Sequence, residues 1–319
     1  MLDVLSYDFM VRALLAALLV GLSAPAVGVF LVQRKLSLIG DGMGHVALTG
    51  VAVGLVTGTA PVWTALVAAV AAAVLIEVVR ARGRSGGDVV LAVMFYGGIA
   101  GGVVLVSTAD RGSLAGLNAY LFGAITTTTT NDLIAFGVLT AVVLGTCLTL
   151  ATRLFAVSDD EEYARASGLP VTALNMLLAV LTAVTVVVAM RVVGLLLISA
   201  LMILPAAVAQ QLARSFRSTV ALAMGVGVVV SVVGVLTSFW TNTPSGGTIV
   251  LYAIAAFGLA AVAGGLRRQL HARGHAPTEE HPHEHFPGCG HLVVTHDDHV
   301  DYLHDGHRHA AHGAHYDEH

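Results

Sequence analysis

Residues 172–190 have the sequence TALNMLLAVLTAVTVVVAM, which contains no charged side chain. A stretch of about 20 apolar residues can cross the hydrocarbon core of a bilayer as an α-helix. Similar runs fill most of the chain, at about 9–32, 43–59, 61–80, 89–107, 131–155, 193–213, 218–240 and 247–266. We therefore predict an all-α, polytopic membrane bundle with about nine spans, within a range of roughly eight to ten.

Composition separates this membrane part from a polar tail. The 319-residue chain is 56% hydrophobic and 11% charged, whereas soluble domains usually have about 25% charged residues. Residues 1–270 contain 14 Lys and Arg against 11 Asp and Glu, while residues 271–319 contain 2 against 9. Fourteen of the 15 histidines lie in that last stretch. We predict a transmembrane domain over 1–270 and a His-rich, disordered tail over 271–319.

Basic residues between the spans predict the orientation, because Lys and Arg are concentrated in cytoplasmic loops. Every second loop is basic, with Arg34, Lys35, Arg80, Arg82, Arg84, Arg153, Arg165, Arg214, Arg217, Arg267 and Arg268. The opposite loops have little beyond Arg111 and Arg191. Nine spans then place the N-terminus outside and the tail in the cytoplasm. No basic residue precedes Asp8, so we expect a retained first span rather than a cleaved signal peptide.

Asp41 and His45 form the first candidate site, within the segment Leu36–Gly50 (LSLIGDGMGHVALTG). Their spacing puts both residues on one face of a helix. A carboxylate and an imidazole together suit a divalent cation such as zinc or manganese. Ionisable residues at membrane depth usually line a cavity or pathway. The three glycines around Asp41 suggest a broken, re-entrant start to this span. Alternatively, Asp41 caps the second helix and His45 bonds a backbone carbonyl.

A second candidate site lies between the fifth and sixth spans, at Ser158–Pro170 (SDDEEYARASGLP). The pattern predicts a short amphipathic helix that is capped by Ser158 or Asp159, ends at Gly168 and is followed by Pro170. It is either an ordinary surface helix or a docking element for a cytoplasmic partner.

The tail is a candidate metal-binding segment. Its histidines alternate with other residues or recur at short gaps among Asp and Glu, without zinc-finger spacing. This composition predicts polydentate metal binding by a disordered segment, and the alternative is a solvated tail with no metal role. The candidate ligands are His281, His283, His285, Cys289, His291, His304, His307, His309, His312 and His315.

These segments carry a family resemblance. Over about residues 8–268, the chain resembles the integral-membrane permeases of bacterial ATP-binding-cassette importers for zinc and manganese, of the high-affinity zinc-uptake type. The likeness rests on Leu36–Gly50, on Asp160–Pro170 with its Gly-Leu-Pro ending, and on Val193–Ala207 (VGLLLISALMILPAA). The sequence departs from the family at Gly42–Gly44, where serine often precedes the histidine, and in its long tail, which only some members have.

The resemblance implies a type II importer-like permease in the bacterial plasma (inner) membrane, which is not itself an enzyme. It also implies a homodimer, cytoplasmic ATP-binding-cassette ATPases, an extracytoplasmic metal-binding protein, surrounding lipid and no nucleic acid. ATP would be used by the partner, Zn²⁺ would be the cargo and a ligand of the tail, and no cofactor would be tightly bound. By position, Asp41 and His45 would lie on the ion pathway. The segment that docks on the ATPase would include Glu161, Glu162, Gly168 and Pro170.

The sequence therefore predicts the permease subunit of an ATP-driven importer of Zn²⁺, with Mn²⁺ as the next candidate, because imidazole suits zinc better. The chain has no GxxxxGK[ST] phosphate loop of its own. A stand-alone secondary carrier or channel would need ionisable groups in several spans, and only Asp41, His45, Glu77 and Asp132 qualify. A membrane-anchored metal buffer would need far fewer spans. ATP dependence of uptake distinguishes the first two functions.

Overall fold

The computed structural model describes residues 6–82, 87–108, 120–123, 128–274, 290–296, 299–304, 307–312 and 315–318. The chain forms two compact units, Met1–Ala261 and Val262–His319, and each is described by itself.

The helices follow the hydropathy pattern along the chain. In order they are α1 (Asp8–Gln33), α2 (Ile39–Thr57), α3 (Pro61–Ala81), α4 (Gly87–Ser107), α5 (Thr130–Thr149), α6 (Ala151–Asp159), α7 (Glu161–Ala166), α8 (Val171–Met190), α9 (Ile198–Leu212), α10 (Phe216–Thr241) and α11 (Ser245–Gly274). A 3₁₀-helix, Leu195–Leu197, precedes α9.

The expected membrane bundle is confirmed. Among the described residues, 8 helices are long and apolar enough to cross a membrane, namely α1 to α5, α8, α10 and α11. The predicted run 193–213 forms instead the 3₁₀-helix and α9, which has 15 residues. Such a helix is about 22 Å long, which is shorter than the roughly 30 Å hydrocarbon core. The span count therefore falls within the expected range.

The predicted run 131–155 is divided at Leu150, where α5 ends and α6 begins. Two threonines in the last turn of α5 donate to backbone carbonyls one turn earlier: Thr146 to Val142 at 2.7 Å and Thr149 to Gly145 at 2.6 Å. Such hydroxyl bonds compete with the helical ladder and bend helices. The apolar pattern continues through the division, so hydropathy alone does not detect it.

Helices α1 and α8 form the centre of the bundle and are the most buried of the spans. By contrast, α4, α5 and α11 keep large apolar side chains such as Val93, Ile134 and Leu259 exposed. An apolar outer surface is what a helix needs against lipid, because lipid tails are as apolar as the side chains.

Helix α2 is continuous from Ile39, so the expected re-entrant start of this span is wrong. The glycines that suggested it are packing sites. A Cβ on Gly40 would lie 3.0 Å from the Ser199 hydroxyl, and one on Gly42 would lie 2.3 Å from a Leu91 methyl carbon. Contacts with distant helices thus hold a glycine-rich segment helical, and tertiary packing outweighs its low helix propensity.

Helix α4 crosses α2 most closely at Gly98. A Cβ at this position would lie 2.4 Å from the carbonyl carbon of His45, so only glycine permits the approach. The Thr49 hydroxyl donates to the Gly98 carbonyl at 2.7 Å beside this contact. The backbone of His45 is therefore fixed against α4.

The second unit contains an antiparallel sheet of 4 strands in the order β1-β2-β3-β4. The strands are β1 (Leu292–His296), β2 (His299–His304), β3 (His307–His312) and β4 (His315–Glu318). Composition predicts no regular structure here, whereas the described residues form strands, and two residues of sequence separate each strand from the next. The structure thus adds a sheet to a segment expected to be disordered.

We predict that Gly98→Ala separates α2 from α4 and lowers the thermal stability of the detergent-purified protein by about 1–3 kcal/mol, the usual cost of overpacking. The measurement is the temperature at which the monodisperse protein is lost. Gly97→Ala is the matched control, because a Cβ on Gly97 has no atom within 4 Å. Equal melting temperatures for the two variants would contradict the close α2–α4 contact.

Candidate functional site

Asp41 and His45 lie in the first two turns of α2, on adjacent turns of one face. Leu38 is the N-cap and supplies no side-chain cap, while Asp41 lies in the first turn. The alternative in which Asp41 caps this helix is therefore not realised. The carboxylate instead lies near the partial positive charge of a helix N-terminus.

His45 is packed into the bundle and is only 8% exposed. Its ring meets the Phe95 ring of α4 edge-on, with centroids 4.2 Å apart and an interplanar angle of 71°. Nδ1 is buried and has no hydrogen-bond partner. A buried polar atom without a partner costs about 1–3 kcal/mol, so native proteins rarely keep one without a functional reason. The expected bond from His45 to a backbone carbonyl is absent among the described residues.

Asp41 opens into a cavity of about 430 Å³ between α2 and α4. Its other lining residues are Leu38, Leu91, Ala92, Phe95 and Tyr96. Within the described part of the chain, Asp41 forms no ion pair or hydrogen bond to another side chain. One chain thus offers one carboxylate on a mostly apolar cavity, while the His45 imidazole lies behind the cavity wall, against Phe95. In the described residues no group of 3 or more His, Cys, Asp or Glu could hold a metal ion.

The other two acids considered for a pathway are paired with arginine. Glu77 is buried and accepts from Arg80 at 3.2 Å on the same helix. Asp132, at the start of α5, accepts from Arg191 at 2.8 Å, and Arg191 also donates to the Tyr120 hydroxyl at 2.8 Å. The Asp132–Arg191 pair joins the start of α5 to the end of α8, while Glu77 is paired within α3, so both acids already have a basic partner.

The second candidate segment forms the short helix α7. Asp160 is its N-cap and accepts from the backbone N–H groups of Glu162 and Tyr163, both at 2.9 Å. The predicted cap at Ser158 or Asp159 is wrong, because both residues belong to α6. Gly168 follows the helix at φ +79°, a conformation that favours glycine, so the expected end of the helix is confirmed.

Glu161 contacts the bundle, although its side chain is 40% exposed. Its carboxylate pairs with Arg34, whose side chain is 5% exposed, and it also accepts from the Asn175 amide of α8 at 3.0 Å. Glu162 and Tyr163 are exposed, and Tyr163 is 69% exposed. The outer face of α7 is thus made by these two residues, while Glu161 joins α7 to the loop between α1 and α2.

Arg34 is the residue of this region that sequence reasoning missed as part of a site. Burial lowers the pKa of Arg34, and the nearby Arg80 lowers it further, while Glu161 and Glu77 oppose both effects. Its neighbours show that the loops after α1, α3 and α6 meet on one side of the bundle. In the sequence, Arg34 is marked only by its position in a basic loop, because its partner Glu161 is 127 residues away.

The tail candidates divide between described and undescribed residues. His281, His283, His285 and Cys289 lie outside the described residues. His291 immediately precedes β1. The remaining candidates have strand positions in the sheet, and they are His304, His307, His309, His312 and His315.

Comparison with known proteins identifies the family of the membrane unit. Residues 6–264 match the ABC 3 transport family. The chain belongs to this family. The match includes every span of the bundle and ends before the His-rich tail, so the ABC-3 fold is complete without the tail. The resemblance inferred from the sequence motifs is confirmed.

Two ABC-3 relatives have names that specify different metals. The chain is 32% identical over 259 residues to the manganese transport system membrane protein MntC of Halalkalibacterium halodurans, covering 81% of this chain and 88% of the relative. It is 29% identical over 245 residues to the high-affinity zinc uptake system membrane protein ZnuB of Haemophilus influenzae, covering 77% and 94%.

A solved structure with the same fold is that of PsaBC from Streptococcus pneumoniae in complex with Fab. Its similarity has a TM-score of 0.74 at 32% sequence identity, and it covers 81% of this chain and 93% of the other. The ABC-3 membrane unit therefore has the architecture of this transporter component along nearly its whole length.

We predict that Arg34→Met destabilises the ABC-3 unit by about 1–3 kcal/mol, because the Glu161 carboxylate loses its charged hydrogen-bond partner and keeps only the Asn175 amide. The measurement is again thermal stability in detergent. Lys35→Met is the matched control, since Lys35 is the adjacent cation and is exposed. An equal effect of the two substitutions would show that the Arg34–Glu161 pair does not join α7 to the bundle.

Proposed function

We propose that this ABC-3 chain is the membrane-spanning permease subunit of an ATP-driven divalent metal importer, with Zn²⁺ as its cargo and Mn²⁺ as the next candidate. The observation that carries the proposal is the site of Asp41 and His45. There the Asp41 carboxylate lines a cavity, and one turn further along α2 the buried His45 Nδ1 has no hydrogen-bond partner among the described residues, while the His45 ring packs on Phe95 of the cavity wall.

The choice of zinc over manganese rests on ligand chemistry. Imidazole suits zinc well, whereas manganese prefers carboxylate, carbonyl and water oxygens. One carboxylate and one imidazole are compatible with both ions, and the relatives include proteins named for each. The buried histidine and the abundance of histidine in the tail favour zinc.

A homodimer would complete the pathway site. Zinc normally takes four ligands, and a transported ion can keep water at some of these positions. One chain supplies two groups, so two copies related by symmetry supply two carboxylates and two imidazoles. Helix α4, which forms a wall of the Asp41 cavity, keeps an apolar outer face with Val93 and Tyr96 exposed. This face fits either lipid or the second copy.

Coupling to ATP would pass through α7. The chain has no phosphate-binding loop, so ATP hydrolysis belongs to a cytoplasmic ATPase partner. Glu162, Gly168 and Pro170 are exposed on the segment that we assign to docking. Besides belonging to the docking segment, Glu161 would transmit a displacement of α7 to α2, because its pair with Arg34 joins α7 to the loop before α2. The pathway residue Asp41 lies at the start of that helix.

The remaining assignments follow from the basic loops. We place the basic side of the bundle in the cytoplasm of a bacterial cell. The N-terminus then lies outside and the tail inside, with the 3₁₀-helix and α9 forming a ninth, shorter crossing between Arg191 and Arg214 in addition to the 8 long helices. An extracytoplasmic metal-binding protein would deliver the ion to the side with Arg191. After the ion has entered the cytoplasm, the histidines and Cys289 of the tail would bind it. Lipid would surround the bundle, and no cofactor would be tightly bound.

We predict that His45→Gln and Asp41→Asn each reduce zinc uptake at least about tenfold, because either change removes a ligand without changing the side-chain size much. Uptake of ⁶⁵Zn²⁺ by zinc-starved cells is measured at matched membrane levels of the protein, and ⁵⁴Mn²⁺ uptake is measured in parallel. Loss of manganese uptake alone would assign the cargo to Mn²⁺.

The matched control is Asp8→Asn, which removes an exposed carboxylate from the first turn of another span. We expect it to leave uptake of both metals unchanged. Uptake equal to wild type in both His45→Gln and Asp41→Asn would refute the pathway assignment.

A further inference from the structure

A second cavity of the membrane unit is a groove along α1, and it lies apart from the Asp41 cavity. Leu22 and Phe30 of α1 form its floor. The first turns of α10 form one wall, and the junction of α5 and α6 forms the other. Both α5 and α10 pack on α1, so the groove is the space left between them. Its volume is about 560 Å³, which is within the usual range of small-molecule sites.

Small side chains keep the groove open. Gly225 lies on the α10 wall, and a Cβ at this position would meet no atom within 4 Å. Ala221, one turn earlier on α10, and Ala151 on the opposite wall also line the space. An empty space beside these residues would cost their dispersion contacts. Because the hydrocarbon region of a bilayer contains no water, an acyl chain is the natural filling.

The polar residues of the groove lie at one end of it. Arg217 is in the first turn of α10 and Thr152 is in the first turn of α6, and both are exposed. The rise of an α-helix places Gly225 about 12 Å further along α10 than Arg217, and Leu22 about 12 Å from Phe30 along α1. The groove therefore has a cationic mouth on the side of the basic loops and an apolar interior. A phospholipid has the same order of polarity.

The charge of Arg217 is available to a ligand. In the part of the chain that the structure describes, the ion pairs of Arg34, Arg80 and Arg191 each use a carboxylate, and none of these pairs includes Arg217. A guanidinium matches the geometry of a phosphate group and can bind it through two parallel hydrogen bonds. A phosphate at the mouth would thus supply the anion that Arg217 lacks.

We propose that this groove is a binding site for one anionic phospholipid, with an acyl chain over Leu22 and Phe30 and the phosphate at Arg217. The Thr152 hydroxyl on the opposite wall would be a second donor to the headgroup. The acyl chain distinguishes poorly between the groove and the bilayer, because lipid tails are as apolar as the side chains. The headgroup charge therefore determines which lipid is bound.

The test is lipid binding by the purified full-length protein, measured by native mass spectrometry after release from detergent. Phosphatidylglycerol and phosphatidylcholine with identical acyl chains are titrated separately. We expect one phosphatidylglycerol per chain, with a dissociation constant about fivefold lower than that of phosphatidylcholine, since one basic residue contributes about this factor towards anionic lipid.

Arg217→Gln is expected to remove the preference for phosphatidylglycerol, so that the two dissociation constants become equal within about twofold. Arg214→Gln is the matched control, because Arg214 is an exposed arginine three residues away that does not line the groove. It should keep the preference. Equal losses in the two variants would overturn the proposal in favour of general attraction to the basic surface, as would an absence of preference in the unmodified protein.

Gly225→Leu tests the interior of the groove. The leucine side chain has space to enter the groove, so the variant should fold with an unchanged melting temperature and lose retention of both lipids. Gly258→Leu is the matched control on the exposed face of α11, where a Cβ also meets no atom within 4 Å, and it should retain both lipids.

Unchanged lipid retention in Gly225→Leu would overturn the groove as the site. A lipid-free dimer that becomes a monomer in this variant would also overturn the proposal, because the groove would then hold a second copy of the chain. The variants leave Asp41 and His45 intact, and no transport is measured. Failure of the importer function would therefore leave this result unaffected.

Discussion

A charge within a bilayer is stable only with a partner or beside a water-filled cavity, and the rest of this bundle depends on that constraint. Glu77, Asp132 and Glu161 are each paired with an arginine near a span end. The Glu161–Arg34 pair joins α7 to the end of α1, and the Asp132–Arg191 pair joins the start of α5 to the end of α8, whereas Glu77 and Arg80 are paired within α3. Asp41 is the acid that the described spans leave beside a cavity instead, and the close contact of α2 with α4 fixes His45 next to it.

This arrangement connects α7, the helix proposed to dock on the ATPase, with the start of α2, where the proposed ion pathway lies. Arg34 joins α7 to the loop that begins α2, and Asp41 lies one turn into that helix. A displacement of α7 by an ATPase would therefore act on the start of α2. At the same time, the Gly98 contact holds the next turn of α2 against α4. Movement at one end and fixation at the other would change the shape of the cavity between them.

The sequence predicts what depends on local pattern. Apolar runs identify the spans, while the basic loops predict their sides and the Asp41–His45 spacing predicts a candidate site. Other features depend on contacts between distant residues and are not visible along the chain. The glycines near Asp41 resemble a helix break until their neighbours on α4 and α9 are known. In the sequence Glu161 resembles an ordinary surface acid, because its partner Arg34 is 127 residues away and only the structure shows their contact.

The most direct test of the central claim is zinc entry into vesicles that contain this chain, with and without its ATPase partner and metal-binding protein. The account predicts that zinc enters only when the whole complex and ATP are present, and that zinc-loaded binding protein accelerates ATP hydrolysis. It also predicts that His45→Gln abolishes this acceleration. Zinc entry through this chain alone, without ATP, would contradict the account and assign the Asp41–His45 site to a secondary carrier or channel.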